Sequence, residues 1–592
     1  MIQRLFDIVA ERSSLAPRDV MLAAKENGTW RTYSCAEVWQ MARAMAGGLL
    51  QQGITHTTDP LAQEKIAIIS PNRPEWLITD VAVQLTSAVL TPIYPTISPA
   101  ELEYVLNEAG AKMLFLANAE IYERFKEAFA NVPSLQKIYS FDNVEGVANW
   151  QTLIKAGAEP GEQLVASIKP ETLATIIYTS GTTGNPKGVM LTHSNIVSNV
   201  RDSMPAFTFA TAGSRALSFL PLNHIFERMV SYIYLQAGVS IYYAESMDTI
   251  GLNLKEVKPL VFTTVPRLLE KVYERIMNTA LELKGIKRAL FFWALGLGKQ
   301  YDNIHKGGSW YRLQLAIANA LVFSKWREAL GGNLKAIVVG SAPTQERLAR
   351  IFTAARIIIM EGYGLTETSP VISVNRFESD DRRIGTIGPL IQNVEVKIAE
   401  DGEILTKGPN VTSGYYMHPE LTAAAIDGDG WFHTGDIGQW VEGRFLKITD
   451  RKKEIFKTSG GKYVAPQAIE NKMKESPYIE QMMVIGDGRK FVSALIVPSF
   501  TQLRKYLKDN FPNMSVPASN ADLVKMKEVV AQVQKQIDKY NPLFSHPEQV
   551  KKVALLPDEW TIDSGELTPS LKIKRKVIEK KFAADIEGIY GE

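Results

Sequence analysis

The densest chemistry in the chain lies between Tyr178 and Asn195. Thr179, Ser180, Gly181, Thr182, Thr183, Gly184, Lys187 and Gly188 put three glycines, four hydroxyls and one lysine into one short stretch. Glycines let backbone N–H groups come close to an anion, hydroxyls add donors, and the lysine brings a mobile positive charge. The combination suits a loop that bends around a polyphosphate. It is not a Walker A loop, which needs a glycine, four residues and then Gly-Lys-Ser/Thr. Counted from Gly181, Pro186 stands where the second glycine belongs and Gly188 where the hydroxyl belongs. A solvated surface loop is the plain alternative, but the order of residues is more particular than that reading needs.

Such a loop must be held by a rigid strand, and Thr175, Ile176, Ile177 and Tyr178 supply the β-branched and aromatic residues for one. Apolar runs at 65–70, 89–94, 112–116, 215–221, 258–264 and 335–340 read as further strands, with helical stretches such as 75–84 and 99–110 between them. The alternation predicts two mostly parallel sheets with helices on their faces and ligands at the carboxyl ends of the strands. Over 380–449 glycines punctuate short alternating runs, as in a small β-rich module. Beyond Asp450 the chain reads as a smaller α+β unit: a helix over 466–475, a hairpin of 482–485 with 491–497, a polar helix over 521–540 and a basic helix from Leu571. The predicted fold class is α/β. A large N-terminal domain (1–449) holds two α/β subdomains and the β-rich module, and a smaller mobile α+β domain (450–592) follows.

A chain of 592 residues exceeds one ordinary core. Its 45% hydrophobic and 22% charged residues are those of a globular protein, and a net charge of +2 excludes the broad field of a nucleic-acid binder. The one cysteine, Cys35, cannot form an internal disulfide, which fits a reducing compartment. The first twelve residues read as an amphipathic helix without a signal-peptide core. No run approaches the ~20 apolar residues a membrane span takes. These features point to the cytoplasm, with the inner face of a membrane as an open option.

Four more stretches suit a nucleotide. In the first, Glu361, Gly362, Tyr363, Gly364, Thr366 and Glu367 set an aromatic between glycines, then a hydroxyl and a carboxylate. The ring can lie flat on a base, and the oxygens can serve Mg²⁺ and phosphate. Gly340, Ser341, Ala342 and Pro343 close an apolar run. Asp436 can accept hydrogen bonds from both hydroxyls of a ribose, with Arg451 as a further donor. Lys572 and Lys574 stand in a basic stretch near the C-terminus. Each has a plain reading alone: a strand-to-helix turn, a helix start, a surface β-turn, a solvated basic helix. In this order, together with the loop at 178–195, they closely resemble the adenylate-forming superfamily of acyl-CoA synthetases, luciferases and peptide-synthetase adenylation domains. The run 429–453 resembles fatty acyl-CoA synthetases in particular, and the resemblance extends from about residue 33 to residue 577.

The resemblance implies an ATP-dependent ligase that joins a long-chain fatty acid to coenzyme A through acyl-AMP, with Mg²⁺ as cofactor. It implies that Tyr363 stacks on adenine beside the 340–343 loop, that Thr366 meets the α-phosphate, and that Glu367 holds Mg²⁺ with Thr182. It places Asp436 and Arg451 on the ribose, a hinge at Asp450, and Gly460 and Gly461 beside the pantetheine arm. Lys572 matches the catalytic lysine, although Leu571 replaces the usual preceding glycine and leaves Lys574 as a rival register. His224, in the run 219–228, fits the histidine of the acyl tunnel, or else a satisfied core histidine. Arg228 falls where some relatives carry a gating tryptophan.

Two other functions fit the same residues: a fatty acyl-AMP ligase that serves a carrier protein, and a non-catalytic fatty-acid or nucleotide binder. Lys187, Glu367, Asp436 and Lys572 together exceed what a binder needs. Residues 274–328 stand apart, with apolar runs at 289–297 and 313–323 among basic residues. They read as an interfacial membrane contact, a helical hairpin packed on the main domain, or a homodimer interface.

Overall fold

The computed structural model describes residues 2–156, 158–179, 185–304, 307–568 and 571–591. They form two compact units. The first comprises residues 1–341, 348–397 and 405–433, and the second residues 342–347, 398–404 and 434–592.

Two eight-stranded sheets build the first unit. One runs in the order Gly414–Tyr415, Lys187–Thr192, Leu173–Thr179, Val89–Ile93, Lys65–Ile69, Ala111–Leu116, Lys137–Ser140 and Ala148–Asn149. The other runs Val371–Val374, Ile358–Gly364, Ala336–Val339, Val261–Thr264, Arg215–Ser218, Ser240–Tyr243, Val20–Glu26 and Thr29–Ser34. Both are parallel at the centre; the second is antiparallel at both ends, the first only at its Gly414–Tyr415 end. Lys65–Ile69 and Val89–Ile93 are buried along their whole length, as strands covered on both faces must be.

A buried ion pair ties a helix of the first sheet to one of the second. Asp80 lies on helix Pro74–Gln84 and Arg228 on helix Ile225–Ala237. The guanidinium donates twice to the Asp80 carboxylate, which also accepts from Tyr232 Oη at 2.8 Å and from Gln84 Nε2 at 2.8 Å. Trp76 lies against the same guanidinium, 5.6 Å away. Arg228 is therefore held as a strut between the two helices, because swinging it away would strand a carboxylate in the core.

Residues 274–328 hold the end of helix Pro266–Glu282 and helices Gly285–Lys299, Ser309–Ala318 and Ser324–Ala329, the last two joined by a π-helical turn at Asn319–Phe323. Their inner face, with Phe291, Leu295, Phe323 and Trp326, packs into the same core as Leu348, Ile351 and Phe352. The segment is thus a helical layer packed on the main body. None of the described helices is long and apolar enough to cross a membrane.

In the second unit, strands Ile479–Ile485, Val492–Pro498 and Val550–Leu555 form one sheet. Successive side chains point to opposite faces. Met482, Val484, Ala494 and Ile496 enter a core with helix Lys527–Tyr540, while Met483, Ile485, Leu495 and Val497 enter another with Ile578 and Ile589. Two expectations change. The polar helix over 521–540 is broken into Asn520–Leu523 and Lys527–Tyr540. The break lets Leu523 and Val529 reach one core, whereas six positions along a continuous helix would set them about 120° apart. The terminal helix begins at Arg575, not Leu571, because Leu571 takes φ +60° in a turn closed by the bridge between Leu567 and Ile573.

Replacing Asp80 by alanine should cost about 3–5 kcal/mol of stability, since it leaves a buried guanidinium unpaired. The double variant Asp80→Leu/Arg228→Met should recover most of that loss. Denaturant unfolding of the three proteins measures both.

Candidate active site

Thr179 and Lys187 stand directly opposite each other on the antiparallel ladder of Leu173–Thr179 with Lys187–Thr192. They are the two posts of the glycine-rich loop. Ser180, Gly181, Thr182, Thr183 and Gly184 lie outside the described residues. Gly188 is required by packing, since a Cβ there would come within 2.8 Å of the Ile176 side chain and 3.1 Å of the Tyr178 ring.

The edge strand Gly414–Tyr415 pairs with the outer side of this hairpin, Tyr415 opposite Val189. Lys187 is thus diagonal to Tyr415, within reach of a long side chain and a ring, and its Nζ sits 5.3 Å from the ring centroid. The Tyr415 hydroxyl donates to Glu367 Oε1 at 2.8 Å. The backbone N–H of Thr412 donates to the Glu367 carbonyl at 2.8 Å, fixing the 3₁₀ turn Thr366–Thr368. One tyrosine thus joins the predicted lysine to the predicted carboxylate. Sequence reasoning missed Tyr415; the available signal was a Gly-Tyr-Tyr run just before Pro419.

The other candidates of this unit sit at strand ends. Glu361, Gly362, Tyr363 and Gly364 close Ile358–Gly364, with Tyr363 buried. A Cβ on Gly364 would lie 1.6 Å from the Pro370 carbonyl oxygen, so only glycine fits. Thr366 is buried in the turn that follows. Gly340 follows Ala336–Val339 and packs against the Phe226 ring, and Ser341 takes φ +71°. Ala342 and Pro343 belong to the second unit.

His224 caps helix Ile225–Ala237, its Nδ1 accepting from the Phe226 N–H at 3.1 Å. Two asparagines given no role in the sequence reading hold this segment. Asn72 donates to the Leu220 carbonyl at 2.6 Å and accepts from the Leu222 N–H at 2.9 Å, and Asn223 donates to the Ile93 carbonyl at 2.6 Å. Beside His224, Glu227 is wholly buried. It accepts from Ser218 Oγ at 2.6 Å and from Thr263 Oγ1. Burial pushes its carboxyl up to about 7, against the pull of these two donors.

In the second unit, Asp436 and Arg451 face each other across the ladder of Phe432–Val441 with Phe445–Arg451, and Arg451 Nε donates to Asp436 Oδ1 at 2.8 Å. Asp450 is buried and accepts from the Arg451 N–H at 2.6 Å, and burial raises its carboxyl to about 7. Gly460 and Gly461 form the turn between Phe456–Lys457 and Tyr463–Val464. Gly461 takes φ +76° and donates its N–H to the Thr458 carbonyl at 2.8 Å.

Lys572 sits in a closed turn. Its N–H donates to Thr568 Oγ1 at 3.0 Å, and its carbonyl accepts from the Thr568 N–H at 2.8 Å. Arg575 anchors this segment, donating to both Glu470 oxygens at 2.7 and 2.8 Å and to Glu454 at 3.0 Å.

Solved adenylation enzymes share this fold. The adenylation domain of a carboxylate reductase from Mycobacterium chelonae matches with a TM-score of 0.77 at 20% identity, over 100% of this chain and 91% of its own. A fatty acyl CoA synthetase from Mycobacterium tuberculosis matches with a TM-score of 0.64 at 19% identity, over 98% and 99%. Residues 10–416 match the AMP-binding enzyme family and residues 453–592 the AMP-binding enzyme C-terminal domain, and the chain belongs to this family. Long-chain-fatty-acid–CoA ligase FadD15 of Mycobacterium tuberculosis is 36% identical over 573 residues, 96% of this chain and 93% of that protein. Long-chain-fatty-acid–CoA ligase 1 of Homo sapiens is 32% identical over 604 residues, 95% and 82%.

Glu227 should make stability pH-dependent. Its folded pKa lies above that of the unfolded chain, so its contribution is full below about pH 4 and is lost as pH rises through 7. Glu227→Gln should remove that loss. Across a pH series of denaturant unfolding, the variant should gain on the native protein by roughly 3 kcal/mol between pH 4 and pH 8. Parallel curves would contradict the assignment.

Proposed function

We propose that the chain is an AMP-forming long-chain fatty acid–CoA ligase. It converts a fatty acid and ATP to acyl-AMP and pyrophosphate, then transfers the acyl group to coenzyme A and releases AMP. The observation that carries this reading is Tyr415 joining Lys187 to Glu367. It occurs in a chain more than 30% identical, along nearly its whole length, to ligases named for this reaction.

A carboxylate does not react with a thiol at neutral pH. In the first step the fatty acid's carboxylate oxygen bonds to the α-phosphorus while the bond to pyrophosphate breaks. In the second the thiol sulfur bonds to the acyl carbon while the bond to AMP breaks. Both steps need positioning and charge neutralisation more than acid–base groups. Lys187 draws the departing phosphates, Thr366 meets the α-phosphate, and Tyr363 stacks on adenine with Gly340–Pro343 at its edge. Asp436 and Arg451, already paired on one ladder, hold the ribose. Mg²⁺ takes one or two carboxylates plus phosphate oxygens rather than a protein cage. Glu367, held by the Tyr415 hydroxyl, offers such a carboxylate. Glu367 and Thr182 would hold the ion, and it supplies charge neutralisation.

Lys572 serves adenylation. Leu571, just before it, adopts the left-handed conformation that glycine favours, which supports this register over Lys574. Lys574 lies at the cap of helix Arg575–Lys581. Residues 450–592 turn about Asp450 between the two steps, and Gly460 and Gly461 then admit the pantetheine arm. His224 lines the acyl segment. The cytoplasm is the proposed location, and a lipid substrate favours contact with the membrane's inner face.

Incubation with ATP, palmitate and either coenzyme A or an acyl carrier protein tests the function. AMP release matched by acyl-CoA is expected; transfer to the carrier protein alone, or no AMP, would overturn it. Lys572→Ala should slow acyl-AMP formation by about 10²–10³-fold while sparing thioester formation from supplied acyl-AMP. Normal adenylation in that variant, with loss in Lys574→Ala, would move the catalytic lysine.

A further inference from the structure

Seven of the seventeen large apolar side chains that stand exposed among the described residues fall between Ile286 and Leu321. Four lie on one line. Trp310 (69% exposed), Leu313 (52%), Ile317 (43%) and Leu321 (56%) recur at spacings of three and four along Ser309–Ala318 and the π-helical turn that continues it. Such spacing puts them on one face. Exposed Ala316 and Ala320 fill the gaps between them. The opposite face is committed to the core through Ala318 and Phe323. Asn319 fixes the helix by donating to the Ala354 carbonyl at 2.9 Å. The exposed line is therefore a fixed ridge.

Helix Gly285–Lys299 packs beside it, with the Tyr311 hydroxyl donating to the Leu297 carbonyl at 2.9 Å. It exposes Ile286 (80%) and, at its start, Lys287 and Arg288. Lys284, Lys287 and Arg312 have no carboxylate partner among the described residues, and Lys325 pairs with Glu328. An apolar ridge flanked by cations is what an interfacial helix presents to lipid. A symmetric contact with a second copy would set the same cations against one another.

We propose that this ridge seats the protein on an anionic lipid surface. Trp310, Leu313, Ile317 and Leu321 enter the headgroup layer, and Lys284, Lys287, Arg288 and Arg312 meet lipid phosphates. The assignment stands independently of the ligase reaction, since vesicle binding is read without turnover.

The full-length protein is sedimented with vesicles of phosphatidylcholine alone and of phosphatidylcholine with phosphatidylglycerol. It should bind the anionic vesicles at least about tenfold more tightly than the neutral ones. Leu313→Glu/Ile317→Glu should weaken binding to both, by about tenfold or more. Lys287→Glu/Arg288→Glu should abolish the anionic preference. Both pairs face solvent, so unfolding midpoints should stay within a degree or two of the native value, by about the usual size of surface effects. Absence of binding to either vesicle, or binding untouched by both variants, would overturn the proposal. So would a dimer in sedimentation velocity that Leu313→Glu/Ile317→Glu splits, which would assign the ridge to a second copy.

Discussion

One antiparallel ladder organises the chemistry of the first unit. The buried side chains of Ile176 and Ile177 fix its register, and that register sets Thr179 opposite Lys187. A slip of one residue would turn Lys187 to the other face of the sheet. The same hairpin offers its outer edge to Gly414–Tyr415, so a tyrosine from a distant part of the chain lands diagonal to the lysine and within a hydrogen bond of Glu367. Long-range strand pairing, rather than the loop's own composition, assembles the cation, the phenol and the carboxylate.

The rest of that unit ties the ladder's surroundings together through buried side-chain hydrogen bonds. Asp80 accepts from three side chains, and Asn72 and Asn223 stitch the loop at 219–228 to the carboxyl ends of two first-sheet strands. Glu227 is a buried carboxyl held by two hydroxyls, with no cation bonded to it among the described residues. In the second unit Arg575 does for Lys572 what Asp80 does for Arg228. Its fork, closed on Glu470 and Glu454, fixes the chain three residues beyond the lysine.

What could be read from sequence followed from local pattern. The apolar runs marked the central strands of both sheets, and those at 482–485 and 491–497 marked the antiparallel pair of the second unit. What escaped depended on distant partners. Nothing local marks Tyr415 or Asn72, because their roles come from strands and loops far along the chain. The basic stretch from Leu571 had the composition of a helix, but a turn through Thr568 holds the backbone until Arg575. The apolar runs within 274–328 left membrane contact, internal packing and a subunit interface open, and they divide between two faces. The inner face fills the core beside Phe352, and the outer ridge ends in solvent.

The central claim is that this site makes a mixed anhydride before coenzyme A takes part. Isotope exchange between pyrophosphate and ATP, measured with fatty acid present and coenzyme A withheld, tests it most directly. Exchange that depends on the fatty acid is the predicted result. No exchange under those conditions, or ADP in place of AMP once coenzyme A is added, would contradict the account.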